Sequence, residues 1–266
     1  MTKNKSSSSS PSPPPYFCLA TKDLYSDHFT PNHFSFDLKQ IPNSQGLVAV
    51  GGDLSSDLLI ESYSMGIFPW YEKEPILWHA PEKRMILFPD NFHQSKSFLK
   101  FFKKISREKL WSITVDRSFE KVINCCAKIP RQGQEGTWIN KAIIKNYIEL
   151  HKKGLAHSVE VWLEKKLIGG IYGVSLGRGF FGESMFSLES GASKIALYAL
   201  CFLMKNWQYH YIDCQVYSQH LENLGAEEID KSHFVRLLKK SNSFTTKNKK
   251  WTEEGELALQ NFFEKT

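Results

Sequence analysis

Between Ser158 and Phe186, apolar and polar side chains alternate in three successive runs. Ser158 to Leu163 turns at Glu164-Lys165-Lys166, and Leu167 to Val174 turns at Gly177-Arg178-Gly179 before Phe180 to Phe186. A period of two broken by short polar or glycine turns predicts a three-stranded antiparallel meander. The spacing then changes. From Ala192 to Asn206 the apolar positions Ile195, Leu197, Leu200, Leu203 and Met204 recur as on a helix. A strand is expected over Tyr211–Val216, and a short helix near His220–Leu224 closed by Gly225.

Upstream, Gly46 to Asp53 reads as a short buried strand ending in a glycine turn. Asp53 is placed to cap a helix carrying Leu58, Leu59, Ser62 and Tyr63, which should stop near Gly66. Prolines at 69, 75 and 81 hold the next segment extended. A second helix is expected over Phe92–Lys104. Lys96, Lys100 and Lys104 fall four residues apart on it with Lys103 beside them, and Phe98, Phe101, Phe102 and Ile105 take the other side. No acid stands between Asn91 and Arg107, so this face suits phosphate as well as water.

Composition narrows the class. The chain has 266 residues, 41% hydrophobic and 14% aromatic, enough for a large core in one or two domains. The net charge of +6 is moderate, so its placement counts more than its sum. Five cysteines without zinc-site spacing argue against a disulfide framework or a structural metal, and reduced cytosolic thiols fit better. No apolar run reaches the ~20 residues a membrane helix needs. Residues 1–16, mostly Lys, Ser and Pro, read as a disordered tail rather than a secretory signal. A basic, Ser-rich start also resembles an organelle-targeting segment, although it lacks arginine.

Two places concentrate chemistry. In Tyr211-Ile212-Asp213-Cys214-Gln215-Val216, strict alternation puts Tyr211, Asp213 and Gln215 on one face. A carboxylate and an amide on an otherwise apolar strand need hydrogen-bond partners, either in a site or in a nearby loop. The same rule groups Phe181, Glu183 and Met185, which is either a pocket with one charged anchor or an exposed edge strand. Gly182 would permit a close backbone or ligand approach. No nucleophile-elbow serine, reactive-cysteine spacing, Walker loop or GxGxxG fingerprint is present, so neither covalent hydrolysis nor a nucleotide cofactor is indicated.

Gly46-Leu47-Val48-Ala49-Val50-Gly51-Gly52-Asp53-Leu54, Gly66-Ile67-Phe68-Pro69-Trp70, Gly136-Thr137-Trp138-Ile139, Gly182-Glu183-Ser184-Met185-Phe186-Ser187 and Ile212-Asp213-Cys214-Gln215-Val216 stand in order along the chain. Together they resemble the leucyl/phenylalanyl-tRNA–protein transferase family. The resemblance implies an α/β (α+β) architecture: a small N-terminal domain, 17–83, on an acetyltransferase (GNAT)-like catalytic domain, 84–266. Meander, helix, strand and helix fit the second half of that fold, whose site lies where two neighbouring strands splay apart. It further implies a cytoplasmic, monomeric enzyme without cofactor or metal. Such an enzyme moves Leu, Phe or Met from aminoacyl-tRNA to proteins beginning with Arg or Lys and so marks them for N-end degradation.

By motif position, Asp213, Gln215 and Glu183 would be catalytic. Trp70, Trp138, Tyr63, Ile171, Phe181 and Leu200 would line the side-chain pocket, and Lys96, Lys100, Lys103 and Lys104 would contact tRNA. Three positions depart from the pattern: Ile171 stands for Met, Leu200 for Phe and Ser218 for Asn. Two other classes are open to the residues alone. An acyl-CoA-dependent acyltransferase would need a pyrophosphate-gripping glycine turn, whereas the turn here reads Ser187-Leu188-Glu189-Ser190-Gly191-Ala192. An RNA-binding module would need the basic face but not the three polar strand residues.

Overall fold

The computed structural model describes residues 17–18, 46–129, 138–260 and 262–264. The expected tail, and Gly136 and Thr137 of one motif, lie outside the described residues.

Four short strands form a small sheet in the order β1-β2-β4-β3: β1 is Phe17–Cys18, β2 Leu47–Val50, β3 Phe68–Pro69 and β4 Leu77–His79. Helix α1, Ser56–Ser64, stops just before Gly66, whose φ is +74. Ser55 rather than Asp53 is the N-cap residue; Asp53 Oδ1 accepts the Ser55 N–H at 2.7 Å one step earlier.

The larger sheet begins with β5, Lys83–Leu87, and has seven strands in the order β11-β5-β10-β9-β8-β7-β6. Its other members are β6 Trp111–Val115, β7 Ala156–Leu163, β8 Lys166–Leu176, β9 Gly179–Ser187, β10 Tyr211–Gln215 and β11 Glu227–Asp230. The expected meander is β7-β8-β9, and helix α5, Ala192–Asn206, returns the chain so that β10 lies parallel to β9. All other pairings are antiparallel.

Alternating strand residues feed two cores. On one face Ile86, Tyr172, Phe181 and Tyr211 pack with α1, α3 (Phe119–Lys128), α4 (Lys141–Lys152), α7 (Lys231–Asn242) and the small sheet. On the other, Met85, Ile171, Phe180 and Ile212 pack with α2 (Lys96–Glu108), α5 and residues from Trp251 onward. Helix α2 starts four residues later than its periodicity suggests. Pro89–Asn91 forms a 3-10 turn, and Ser95 Oγ caps the helix by accepting the Phe98 N–H at 3.2 Å. Helices α6 (Gln219–Glu222) and α8 (Thr252–Leu259) and a 3-10 turn at Phe262–Glu264 complete the described elements.

One buried polar knot fastens the C-terminal segment. Asp116 accepts from His157 Nδ1 (2.8 Å), the Ser158 N–H (2.9 Å) and the Trp251 N–H (2.8 Å), while His157 stacks on the Trp251 ring. Burial opposes charge on Asp116, but His157 and the Trp251 N–H outweigh it and hold the carboxyl below its ordinary value. Among the described residues no helix is long and apolar enough to cross a membrane, and no three metal-ligating side chains converge. Cys125, Cys201 and Cys214 are free thiols.

Candidate active site

Strands β9 and β10 pair only from Tyr211↔Gly179 to Asp213↔Phe181. Beyond that point they part. The gap opens into a cavity of about 810 Å³, lined from β9 by Gly182 to Met185 and from β10 by Cys214, Gln215 and the following Val216. Trp70, Trp138, Ile171 and Leu197 supply apolar wall, with Tyr217, His220 and Leu221 across from them.

Two bulges decide which polar groups enter. In β9, Tyr172 opposes Ser184 and Gly173 opposes Gly182, so Glu183 is the extra residue. The bulge depends on Gly173, because a Cβ there would sit 2.1 Å from the Phe181 carbonyl oxygen. Phe181 and Met185 consequently point into opposite cores, and Glu183, hydrogen-bonded to Tyr63 and Tyr147 of the first core, lies on the side of Phe181. In β10, Asp213 opposes Ile86 and Gln215 opposes Met85, with Cys214 as the extra residue. Ile86 and Met85 belong to opposite cores, so Asp213 and Gln215 do not share a face either. Gln215 has φ +67, which takes it out of extended geometry and ends the strand.

Glu183, 7% exposed, is the hub. Its Oε1 accepts from Tyr63 Oη at 2.6 Å and Gln215 Nε2 at 2.8 Å, and its Oε2 accepts from Tyr147 Oη at 3.2 Å. Tyr63 and Tyr147 also lie within hydrogen-bond distance of each other, so their two phenol protons are shared among that contact and the two to Glu183. Burial pushes the Glu183 carboxyl up to about 7, and the donors from Tyr63, Tyr147 and Gln215 restrain the rise. Both phenols are held well above their ordinary value, by burial first and by the Glu183 charge second. They act as fixed donors. His79, whose ring meets Trp70 edge-on, is pushed down to about 4 by burial and is therefore neutral at pH 7.

Asp213 is fully buried and outside the cavity wall. Arg84 of β5 grips it bidentately, Nε to Oδ1 at 2.8 Å and Nη2 to Oδ2 at 2.7 Å, and Oδ1 also accepts the Gln215 backbone N–H at 2.9 Å. Of the side-chain pocket residues expected from the motifs, Trp70, Trp138 and Ile171 line the cavity. Tyr63 and Phe181 lie behind it, their rings 5.2 Å apart. Leu200 is fully buried one turn beyond Leu197, and Leu197 takes the wall position. Ser218 also lines the cavity.

Lys96, Lys100, Lys103 and Lys104 are all exposed on α2, with Phe98, Phe102 and Ile105 buried beneath them. Lys104 lies 3.7 Å from Glu108, an acid immediately after the acid-free stretch. The helix reaches the cavity through α5: Phe98 and Phe102 pack on Tyr198, the neighbour of Leu197. Sequence reasoning missed Arg84 and Tyr147. Arg84 directly precedes the apolar run Met85-Ile86-Leu87 within the same strand, and that was the available signal; Tyr147 gives none beyond the apolar face of α4.

Comparison with known proteins is consistent along the chain. Residues 86–239 match the model of the leucyl/phenylalanyl-tRNA protein transferase family, and residues 52–82 match that of its N-terminal domain. A leucyl/phenylalanyl-tRNA–protein transferase from Syntrophus aciditrophicus is 51% identical over 214 residues, 80% of this chain and 88% of the relative. Relatives of the same name from Flavobacterium johnsoniae (49%; 74% of this chain, 92% of the relative) and Teredinibacter turnerae (46%; 79% and 78%) are similar over comparable spans.

Proposed function

Since the chain belongs to the leucyl/phenylalanyl-tRNA protein transferase family, and is by that membership an aminoacyltransferase, we propose that it moves leucine, phenylalanine or methionine from tRNA to proteins with N-terminal arginine or lysine. The modified proteins become substrates of N-end degradation. The supporting observation is the Gln215 amide. Its NH₂ is committed to Glu183, which leaves its carbonyl oxygen as an acceptor at the cavity.

An aminoacyl ester is already activated, so no covalent enzyme intermediate is needed. The acceptor's neutral α-amine attacks the ester carbonyl carbon, a C–N bond forms and the bond to the ribose oxygen breaks. The nitrogen loses one proton and the departing ribose hydroxyl gains one, so the net reaction consumes none. Gln215 Oε1 accepts a hydrogen bond from the attacking N–H and holds its lone pair toward the carbonyl, a contribution of orientation rather than basicity. Tyr63 and Gln215 both donate to Oε1 of Glu183, which leaves acceptor capacity on Oε2 for the cationic α-amine of the transferred amino acid. The apolar wall from Trp70, Trp138, Ile171 and Leu197 takes its side chain, and the lysines of α2 meet tRNA phosphates.

Purified protein, Phe-tRNA carrying labelled phenylalanine and a peptide beginning with Arg test the reading directly. The label should move to the Arg peptide but not to its N-acetylated form. Transfer to neither peptide, or equally to a peptide beginning with Asp, would reject it.

A further inference from the structure

We propose that Arg84 is a positioning residue for the transfer step, acting through the Asp213 carboxylate on the backbone of Gln215, and that Asp213 touches neither substrate. The inference rests on the role assigned to Gln215 above.

Asp213 has no exposed surface and is absent from the cavity wall. Its oxygens are taken by Arg84 Nε and Nη2 and by the Gln215 N–H. A carboxylate in contact with a guanidinium presents little net charge to an amine forming elsewhere. Fully buried ion pairs are frequently replaceable by apolar side chains, so stability alone does not explain this one. Gln215 does. It is a non-glycine residue at φ +67, a conformation that persists only where the surroundings impose it. Here the imposing contact is the hydrogen bond from its N–H to Asp213 Oδ1.

Asp213 is itself held in one place. The Arg84 guanidinium lies between the rings of Phe68 and Phe234, 4.6 Å from each centroid. The small sheet and α7 thus clamp the cation, the cation clamps the carboxylate, and the carboxylate sets the backbone that aims the amide at Glu183. A lysine would keep the charge but lose the planar two-point grip.

The experiment compares Arg84→Lys, Asp213→Asn, their double variant and Gln215→Ala, with folding checked by circular dichroism and thermal melting. Arg84→Lys should lower kcat at least about 30-fold while KM for Phe-tRNA and for the Arg peptide stays within about threefold. The double variant should be no worse than its worse parent, because both changes act through Gln215. In parallel, the Glu183 midpoint is followed by NMR of a ¹³C-labelled carboxyl. It should rise in Arg84→Lys as in Gln215→Ala, since each withdraws the amide donor; Asp213→Asn is read by kcat alone, because the Asp213 charge itself raises the Glu183 midpoint. Wild-type kcat in Arg84→Lys, or losses that multiply in the double variant, would overturn the proposal. Should Arg84→Lys not fold, Asp213→Glu, which keeps the charge but displaces the carboxylate, takes its place, and an unmoved Glu183 midpoint there overturns the proposal. Because the NMR reading needs no turnover, it stands apart from any failure of the wild-type protein to transfer Leu or Phe.

Discussion

Gln215 Nε2 donates to Glu183 Oε1 at 2.8 Å across the gap where β9 and β10 part, although the two residues are 32 positions apart. That bond fixes which end of the amide faces the cavity. If the exposed carbonyl orients the attacking amine, Gln215→Ala should lower kcat by about 10²-fold, within the range for lost positioning. Affinity for tRNA should stay within twofold in a filter-binding assay. A fall in tRNA affinity with kcat intact would place Gln215 in tRNA recognition instead.

Glu183 predicts opposite pH trends for activity and stability. Its midpoint in the folded protein is about 7 against an ordinary 4.5. The ionised form anchors a cation, so transfer should rise as pH rises through about 7. The raised folded value means that its contribution to stability is fully present below 4.5 and lost as pH rises through 7, on the order of 3 kcal/mol in all. Thermal melts of Glu183→Gln between pH 4.5 and 8 should lack this decline. A wild-type decline that survives the substitution would assign it to other groups.

The lysines of α2 make a salt-dependence prediction. Charge reversal at Lys100 and Lys104 should weaken tRNA binding and reduce the slope of log K against log salt by about two units. An unchanged slope would remove the helix from the tRNA interface.

Within the cavity, Trp138→Ala should impair transfer of phenylalanine more than of leucine because the larger ring loses more apolar contact, at a cost of about 1–3 kcal/mol in kcat/KM. Equal kinetics for both amino acids relative to wild type would exclude Trp138 from the side-chain pocket.

Away from the site, Asp116→Ala should destabilise the fold by about 3 kcal/mol, because three donors lose their shared acceptor in a buried knot. Its depressed carboxyl stabilises the fold above its ordinary value of 3.8, and that stability is lost as pH falls through the lower folded value. Denaturant titration at pH 7 measures the loss, and a change under 1 kcal/mol would mean the C-terminal segment is held elsewhere.

The meander, α5, β10 and the two-faced α2 were legible in the sequence because period and turn chemistry are local properties. The ordered motifs identified the family for the same reason: each is a contiguous string. Strict alternation failed at Glu183-Ser184-Met185 and at Asp213-Cys214-Gln215, where it assumes an extended backbone throughout. One bulge requires Gly173 on the neighbouring strand, and the other sits where Gln215 leaves the extended region at φ +67. Arg84 lies 129 residues from Asp213, and Tyr63 lies 120 from Glu183. The sequence by itself determined which elements form and which polar residues are in play. Only the tertiary structure decided that Gln215 faces the cavity while Asp213 turns away from it, because that division is set by partners brought together from distant strands and helices.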